Sequence, residues 1–355
     1  MIMEPTISDG WHVFAGSYGS GGEERLTRLI LDKSSGMLKR VAGISGIDNP
    51  SYAALNPEQT RLYVVSETAE PSCSLHAYAL NEDGSFAYLN KQPTSGAIPC
   101  YVSLYSDLKL LLVANYTGGS IAAYPMLDDG RIGAMADFHD HRQLAAAGSK
   151  QQPHPHCIVM DPGKQFVFVA DLGLDQIVVY KLNPERNQLV RHGGTSLEPG
   201  AGPRHLLFNK EGDRLYVINE LNSTITVLAY DGQGQLEVLQ SITTLPESFT
   251  GQNYCADLHL SPDGQYLYGS NRGHDSLAVY QVMPSDGRLE LIEIIATGGR
   301  FPRNFALSPD GRWLLAANQE SNTVTTFQID ASSGRLTPTD HSFEIVKPVF
   351  LKIVE

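Results

Sequence analysis

The chain has 355 residues, with 39 acidic against 26 basic side chains and a formal net charge of −13. Nucleic acids and anionic membranes are polyanions that such a surface repels, so neither is an expected partner. A 42% hydrophobic share excludes a disordered chain, and the length, which would suggest two domains, also suits one large β domain spanning 1–355.

The N-terminal stretch MIMEPTISDG has no basic segment followed by an apolar one, so no secretory signal is read there. No apolar run approaches the roughly 18 residues of a membrane helix. Cys73, Cys100, Cys157 and Cys255 lie far apart without a CxxC pair. They read as reduced, mostly buried thiols, and the expected location is the cytoplasm.

From WHVFAGSY (11–18) onward the chain is a succession of five- to seven-residue runs rich in Val, Ile, Leu, Tyr and Phe, separated by Gly, Pro, Asn and Asp. FVFVA, QIVVYKL, RLYVIN and TITVLAY are examples, each too short for a stable helix and each reading as a strand. The LAAAG stretch at 144–148 is a weak helical patch. Strands ending in a small residue and then a polar one recur as GSY, VSE, ANY, ADL, INE, SNR and AANQ, terminating at Tyr18, Glu67, Tyr116, Leu172, Glu220, Arg272 and Gln319. Successive steps are about 49, 49, 56, 48, 52 and 47 residues. Each is followed by a second strand and a glycine turn (DDGRI, SDGRL, SSGRL), and preceded by a strand and a turn such as SPDGQYL. Four short strands in each of seven units predict an all-β, seven-bladed β-propeller with four antiparallel strands per blade. PVFLKIV (348–354) is expected to pair with the first strand and leave no open edge.

In such a blade the loop before the innermost strand and the loop after the next share one face close to the axis. The first set is NPSY, IPCY, PHPH, GPRH, NYCAD and FPRN; the second is SE, NYTGG, DLGLD, NEL, NRGHD and NQE. Arginine, histidine and carboxylate side chains thus converge on one mouth, while the opposite turns carry ordinary Pro-Asp-Gly chemistry. Arg204, Arg272 and Arg303, joined by His154, His156, His205 and His274, form local positive charge in an acidic protein and point to a small anionic substrate bound by guanidinium forks. Glu220 and His156 are the candidate proton carriers.

The segments PHPH, DLGLDQ, GPRH, INE, SNRGHDS, PRNFALSPDG and ANQESN resemble the seven-bladed propeller lactonase family. That family includes the propeller-type 6-phosphogluconolactonases and 3-carboxy-cis,cis-muconate cycloisomerase. The match runs from GSY at 16 to PVFLK at 348 and is densest over 98–328; the first blade and the approach GSKQQPHPH depart from the family form. The resemblance implies hydrolysis of 6-phosphoglucono-1,5-lactone, a pentose phosphate pathway reaction, with His156, Arg204, Glu220 and Arg272 catalytic. It places Asn115 and Asp171 at frequent family positions, and no cofactor is implied. The expected substrate-binding set is His154, His205, Arg303, Asn115 and Asp171. The second reading of the same groups is a carboxymuconate-type cycloisomerase, and the third is a non-enzymatic binding scaffold.

Structural roles compete at several positions. Asp171, Asp175, Asp275 and Asn318 suit turn caps or blade staples, and His154 and His205 suit either role. The alternating histidines of HDH (139–141) and HPH (154–156) could share a face as metal ligands, but no acidic partner stands at zinc-like spacing, and no metal is expected. HDH lies in the stretch that lengthens the third interval and is expected to be an exposed loop. There is no GxSxG elbow for a serine nucleophile.

Overall fold

The computed structural model describes residues 9–81, 84–145 and 150–355. Most of the MIMEPTISDG and LAAAG segments, the first two residues of the EDGSF turn and the start of GSKQQPHPH lie outside these. Seven four-stranded antiparallel sheets make up the fold. Blade one holds β1 (Gly10–Ser17), β2 (Leu26–Asp32) and β3 (Leu38–Ile44); blade two holds β4 (Pro50–Leu55), β5 (Arg61–Ser66), β6 (Ser74–Leu80) and β7 (Phe86–Pro93). Blade three is β8 (Pro99–Tyr105), β9 (Leu110–Asn115), β10 (Ser120–Pro125) and β11 (Asp137–Asp140). Blade four is β12 (Pro155–Met160), β13 (Phe166–Asp171), β14 (Gln176–Asn183) and β15 (Gln188–Ser196). Blade five is β16 (Pro203–Phe208), β17 (Arg214–Asn219), β18 (Thr224–Tyr230) and β19 (Leu236–Thr243). Blade six is β20 (Tyr254–Leu260), β21 (Tyr266–Arg272), β22 (Ser276–Val282) and β23 (Leu289–Ala296). Blade seven is β24 (Pro302–Leu307), β25 (Trp313–Asn318), β26 (Thr323–Ile329) and β27 (Leu336–Glu344).

The last strand, β28 (Pro348–Val354), is the innermost strand of blade one and pairs with β1 from His12–Val354 to Ser17–Pro348. The two ends of the described chain therefore share one sheet, and no blade is left with an open inner edge.

Alternation in each strand presents one apolar row to each neighbouring blade, and seven apolar clusters fill the seven blade interfaces. The interface of blades four and five, for example, buries Phe168, Val179, Leu206 and Val217. A repeated staple ties one blade to the turn of the next. Tyr63 donates to Gly130 O at 2.9 Å, Tyr216 to Gly287 O at 2.9 Å and Tyr268 to Gly334 O at 3.0 Å. Trp313 Nε1 does the same across the seam, to Lys33 O at 3.1 Å. The accepting glycines have φ of 86°, 73° and 69°, the left-handed conformation that these turns require.

One expectation is corrected. HDH is not an exposed loop: Asp137–Asp140 is the outer strand of blade three, paired with Ser120–Ala123 of β10. His141 follows it fully buried, with Nδ1 2.6 Å from Asp171 Oδ2 and Nε2 2.9 Å from the Tyr180 hydroxyl. Two polar partners inside the blade interface make burial of that imidazole favourable. Among the described residues no helix is long and apolar enough to cross a membrane.

Because ring closure depends on β28, truncating its largest core side chain is a direct test. Phe350, 2% exposed, packs against Tyr52 in the apolar cluster that also holds Phe14 and Val64 at the junction of blades one and two. Phe350→Ala is expected to lower unfolding free energy by about 3–5 kcal/mol in urea titrations; a loss under about 1 kcal/mol would show that the seam contributes little.

Candidate active site

Every innermost strand begins with the same irregularity. Pro155 pairs with Asp171 but Cys157 with Ala170, so His156 is an extra residue in the ladder. The same one-residue shift frees Ser51, Cys100, Arg204 and Arg303, each directly after a proline. It recurs between Cys255 and Leu258 and beside Pro348. A bulge of this kind removes a side chain from the regular alternation and re-aims it. Proline suits the preceding place because its missing N–H is tolerated at the first residue of a strand.

Four of these freed positions, Cys100, His156, Arg204 and Arg303, meet the residues that follow the second strands. A cavity of about 290 Å³ is lined by Tyr18, Glu67, Cys100, Tyr116, His156, Glu220, Arg272 and Arg303, with Ile98 and Thr117 beside them. Arg204 lies against it through Glu220. Its charges form two groups. In blades five and six, Glu220 Oε2 lies 2.7 Å from Arg272 Nη2 and 3.0 Å from Arg204 Nε; the latter contact is an ion pair without an aligned hydrogen bond. Arg272 is fixed further by Nη2 donating to Cys255 O at 3.0 Å and Nε to Tyr254 O at 3.2 Å. Arg204 donates to Ala256 O. In blades seven, one and two, Tyr18 donates to Glu67 Oε1 at 2.8 Å, and Arg303, over the Tyr18 ring at 5.3 Å, reaches Glu67 only at 3.9 Å.

The environment sets the protonation states. Burial lowers the His156 pKa well below its ordinary value, and Arg204, His205, Arg303 and Arg272 push the same way, so the imidazole is neutral. Its Nδ1 is buried without a hydrogen-bond partner among the described residues. Burial alone would raise the Glu220 pKa, but Arg272, Arg204 and Arg303 outweigh it and hold the carboxyl below its usual value. Burial lowers Arg272 to about 10 against the pull of Glu220, which leaves it charged at neutral pH. With His156 neutral, three guanidinium groups face two carboxylates, an excess of one positive charge at the mouth.

The other expected residues lie apart from the cavity lining. His154 stacks on Tyr116 at 4.5 Å, with Nδ1 3.0 Å from Tyr116 O and its backbone N–H donating to Asp171 Oδ1. Asp171 also accepts from Leu174 N and engages His141, so it holds the turn before β12. Asn115 is fully buried and donates to Thr94 O at 3.3 Å and Ser120 Oγ at 3.1 Å. Asn219, Asn271 and Asn318 make matching bonds to Thr224, Ser276 and Thr325. These amides are blade staples. His205 lies deeper, with Nδ1 2.7 Å from Asp257 Oδ1 and Nε2 3.2 Å from Arg204 Nη1. Since arginine can only donate, Nε2 accepts and Nδ1–H points to Asp257. Burial and Arg204 together lower the His205 pKa to about 4. His274 pairs with Ser276 and packs on Phe249.

The cavity-lining Tyr18, Glu67, Cys100 and Tyr116 and the buried Asp257 were not among the expected set. Glu67 and Tyr18 stand at the same place in their repeats as Glu220 and Arg272, so the period itself was the signal. Asp257 is buried, accepting from Asn304 Nδ2 at 2.5 Å and contacting His205 and His259, and it anchors blade six to blades five and seven. Nothing in NYCAD distinguishes it from a turn cap. Among the described residues no group of three or more His, Cys, Asp or Glu side chains converges as metal ligands.

The arrangement can hold a small anion or polarised carbonyl against Arg272, beside a neutral imidazole. The family model for seven-bladed β-propeller lactonases matches residues 12–353. A 6-phosphogluconolactonase of Bacillus subtilis is 31% identical over 82% of this chain and 83% of its own length. The periplasmic gluconolactonase PpgL of Pseudomonas aeruginosa superposes with a TM-score of 0.92 at 32% identity, covering 98% of this chain and 99% of that one. A Bacteroides fragilis protein gives 0.90 at 32% identity, covering 99% and 100%. With its seven blades and this axial cavity, the chain belongs to the seven-bladed β-propeller lactonase family.

Proposed function

We propose that the chain hydrolyses 6-phosphoglucono-1,5-lactone to 6-phosphogluconate at this cavity, as a lactone hydrolase without a cofactor. The observation that carries the reading is the Arg204–Glu220–Arg272 cluster beside a neutral His156. The lactone carbonyl oxygen lies toward Arg204 and Arg272. Both guanidinium groups are held by Glu220 and by carbonyls of β20, so they need little reorganisation as negative charge develops on that oxygen. Water adds to the carbonyl carbon while His156, a neutral imidazole lining the cavity, takes its proton. The tetrahedral intermediate then expels the ring oxygen, and the imidazolium returns the proton to it. Glu220 keeps the two arginines aligned. Arg303 is held loosely by Glu67 and is the group suited to the phosphate. Four free, buried thiols support a cytoplasmic location.

A second reading, an unphosphorylated aldonolactone, is favoured by the small excess of positive charge and by the partial engagement of Arg303 with Glu67. Coupling product formation to 6-phosphogluconate dehydrogenase, and following gluconolactone by pH-stat, separates the two. Acceleration over the spontaneous rate is expected. Glu220→Gln and Arg272→Ala should each lower kcat/KM about 100-fold or more. Arg303→Ala should cost about 10- to 100-fold with the phosphorylated lactone alone. Equal losses with both lactones would remove the phosphate from Arg303, and no acceleration of either would remove the hydrolase reading.

The depressed His156 pKa also has a kinetic sign. The basic form is complete at pH 6.5, so kcat/KM corrected for spontaneous hydrolysis should stay level from pH 8 through 6.5 and fall only well below that. A half-loss near pH 6.5 would contradict a buried, arginine-flanked base.

A further inference from the structure

Glu67 is the cavity carboxylate that takes no part in the proposed chemistry, and its surroundings differ from those of Glu220. Glu220 sits in tight contact with two guanidinium groups, at 2.7 and 3.0 Å. Glu67 has one at 3.9 Å, too far for a formed hydrogen bond. Its Oε1 is fixed by the Tyr18 hydroxyl, while Oε2 is buried and accepts no hydrogen bond from any of the described residues. A buried carboxylate oxygen without a donor is unfavourable, so the residue is under-satisfied until something in the cavity supplies one. Burial raises the Tyr18 pKa further above neutrality, so the phenol remains a donor and holds the carboxylate in place. The rest of this side of the cavity, Ile98, Cys100 and Thr117, carries no charge to offset Glu67, because burial pushes the Cys100 thiol up and keeps it protonated.

We infer that Glu67, oriented by Tyr18, is a specificity-determining residue that accepts a hydrogen bond from a ligand hydroxyl and selects polyhydroxylated ligands over polycarboxylates. The inference rests on the lactonase reading for the identity of the reaction, but its chemistry concerns binding. A hydroxyl donates to Oε2 and completes the shell of the carboxylate. A second or third carboxylate on a ligand would meet Glu67 or Glu220 in a cavity with one excess positive charge, and like charges at such range repel strongly where water is excluded. The same glutamate that binds the hydroxyl therefore rejects a carboxylate in that place.

The test is calorimetric binding of D-gluconate, which has five hydroxyls and one carboxylate, and of propane-1,2,3-tricarboxylate, to the full-length protein and to Glu67→Gln. The wild type is expected to prefer gluconate. Glu67→Gln removes the negative charge and weakens the acceptor, so gluconate affinity should fall about 10-fold while tricarboxylate affinity rises. Opposite signs are the signature of selection. If Glu67 only positioned Arg303, both anions would bind more weakly, and that result, an unchanged preference, or tighter binding of tricarboxylate by the wild type would overturn the inference. Should Glu67→Gln not fold, Tyr18→Phe keeps the charge and frees the carboxylate: gluconate binding should weaken and tricarboxylate binding should not improve, whereas no change in gluconate binding would count against the proposal. Binding does not require turnover. A wild type that shows the predicted preference yet hydrolyses no lactone would refute the proposed reaction and leave the role of Glu67 standing.

Discussion

A single extra residue at the head of each innermost strand governs this molecule's chemistry. In a regular ladder, side chains alternate between the two blade interfaces, and those interfaces are packed with Val, Leu, Phe and Tyr. A charged group placed there would be buried without a partner. The bulge after each inner-strand proline takes one residue out of that alternation, so His156, Arg204 and Arg303 can stand at the axis while their neighbours Cys157, His205 and Asn304 return to the ladder. All seven sheets bear the shift, and a symmetric scaffold thereby carries an asymmetric site: the backbone repeats, and the residue it presents does not.

Charge pairing then decides what those residues can do. Three arginines brought this close would repel one another, and Glu220 and Glu67 divide them into two groups. One group is tight and held by backbone carbonyls of β20, as preorganised stabilisation of developing charge demands. The other is loose and retains an unused acceptor, as recognition of a hydroxylated ligand demands. His156 faces this field without being paired to a carboxylate, so burial and the arginines keep it neutral, unlike His205, whose Nδ1–H is committed to Asp257.

Much of this was legible in the chain because a propeller repeats. The recurrence of GSY, VSE, ANY, INE and SNR specified the blade count, the direction of the second strands and which loops share a face. Tyr18, Glu67, Tyr116, Glu220 and Arg272, all at the end of that motif, all line the cavity. The position before them was harder to read. Asn115, Asp171, Asn219 and Asn318 are one residue earlier, and period-two alternation turns them inward to staple the blade, a distinction that residue type does not reveal. The HDH stretch looked like a loop because its interval is long, and only three-dimensional packing places His141 between Asp171 and Tyr180. Asp257 was hidden for a related reason. Its importance comes from His205, His259 and Asn304, which reach it from other strands or across a bulge.

The proposed reaction depends on the ligand's reacting carbon binding in the axial cavity formed by bulged residues and second-strand ends. The decisive measurement is a crystal structure of the protein with D-gluconate. The carboxylate is predicted between Arg204 and Arg272, near His156, with a hydroxyl on Glu67. Gluconate bound instead outside the axial mouth, for instance in the groove between blades one and two near His76 and Tyr88, would contradict it.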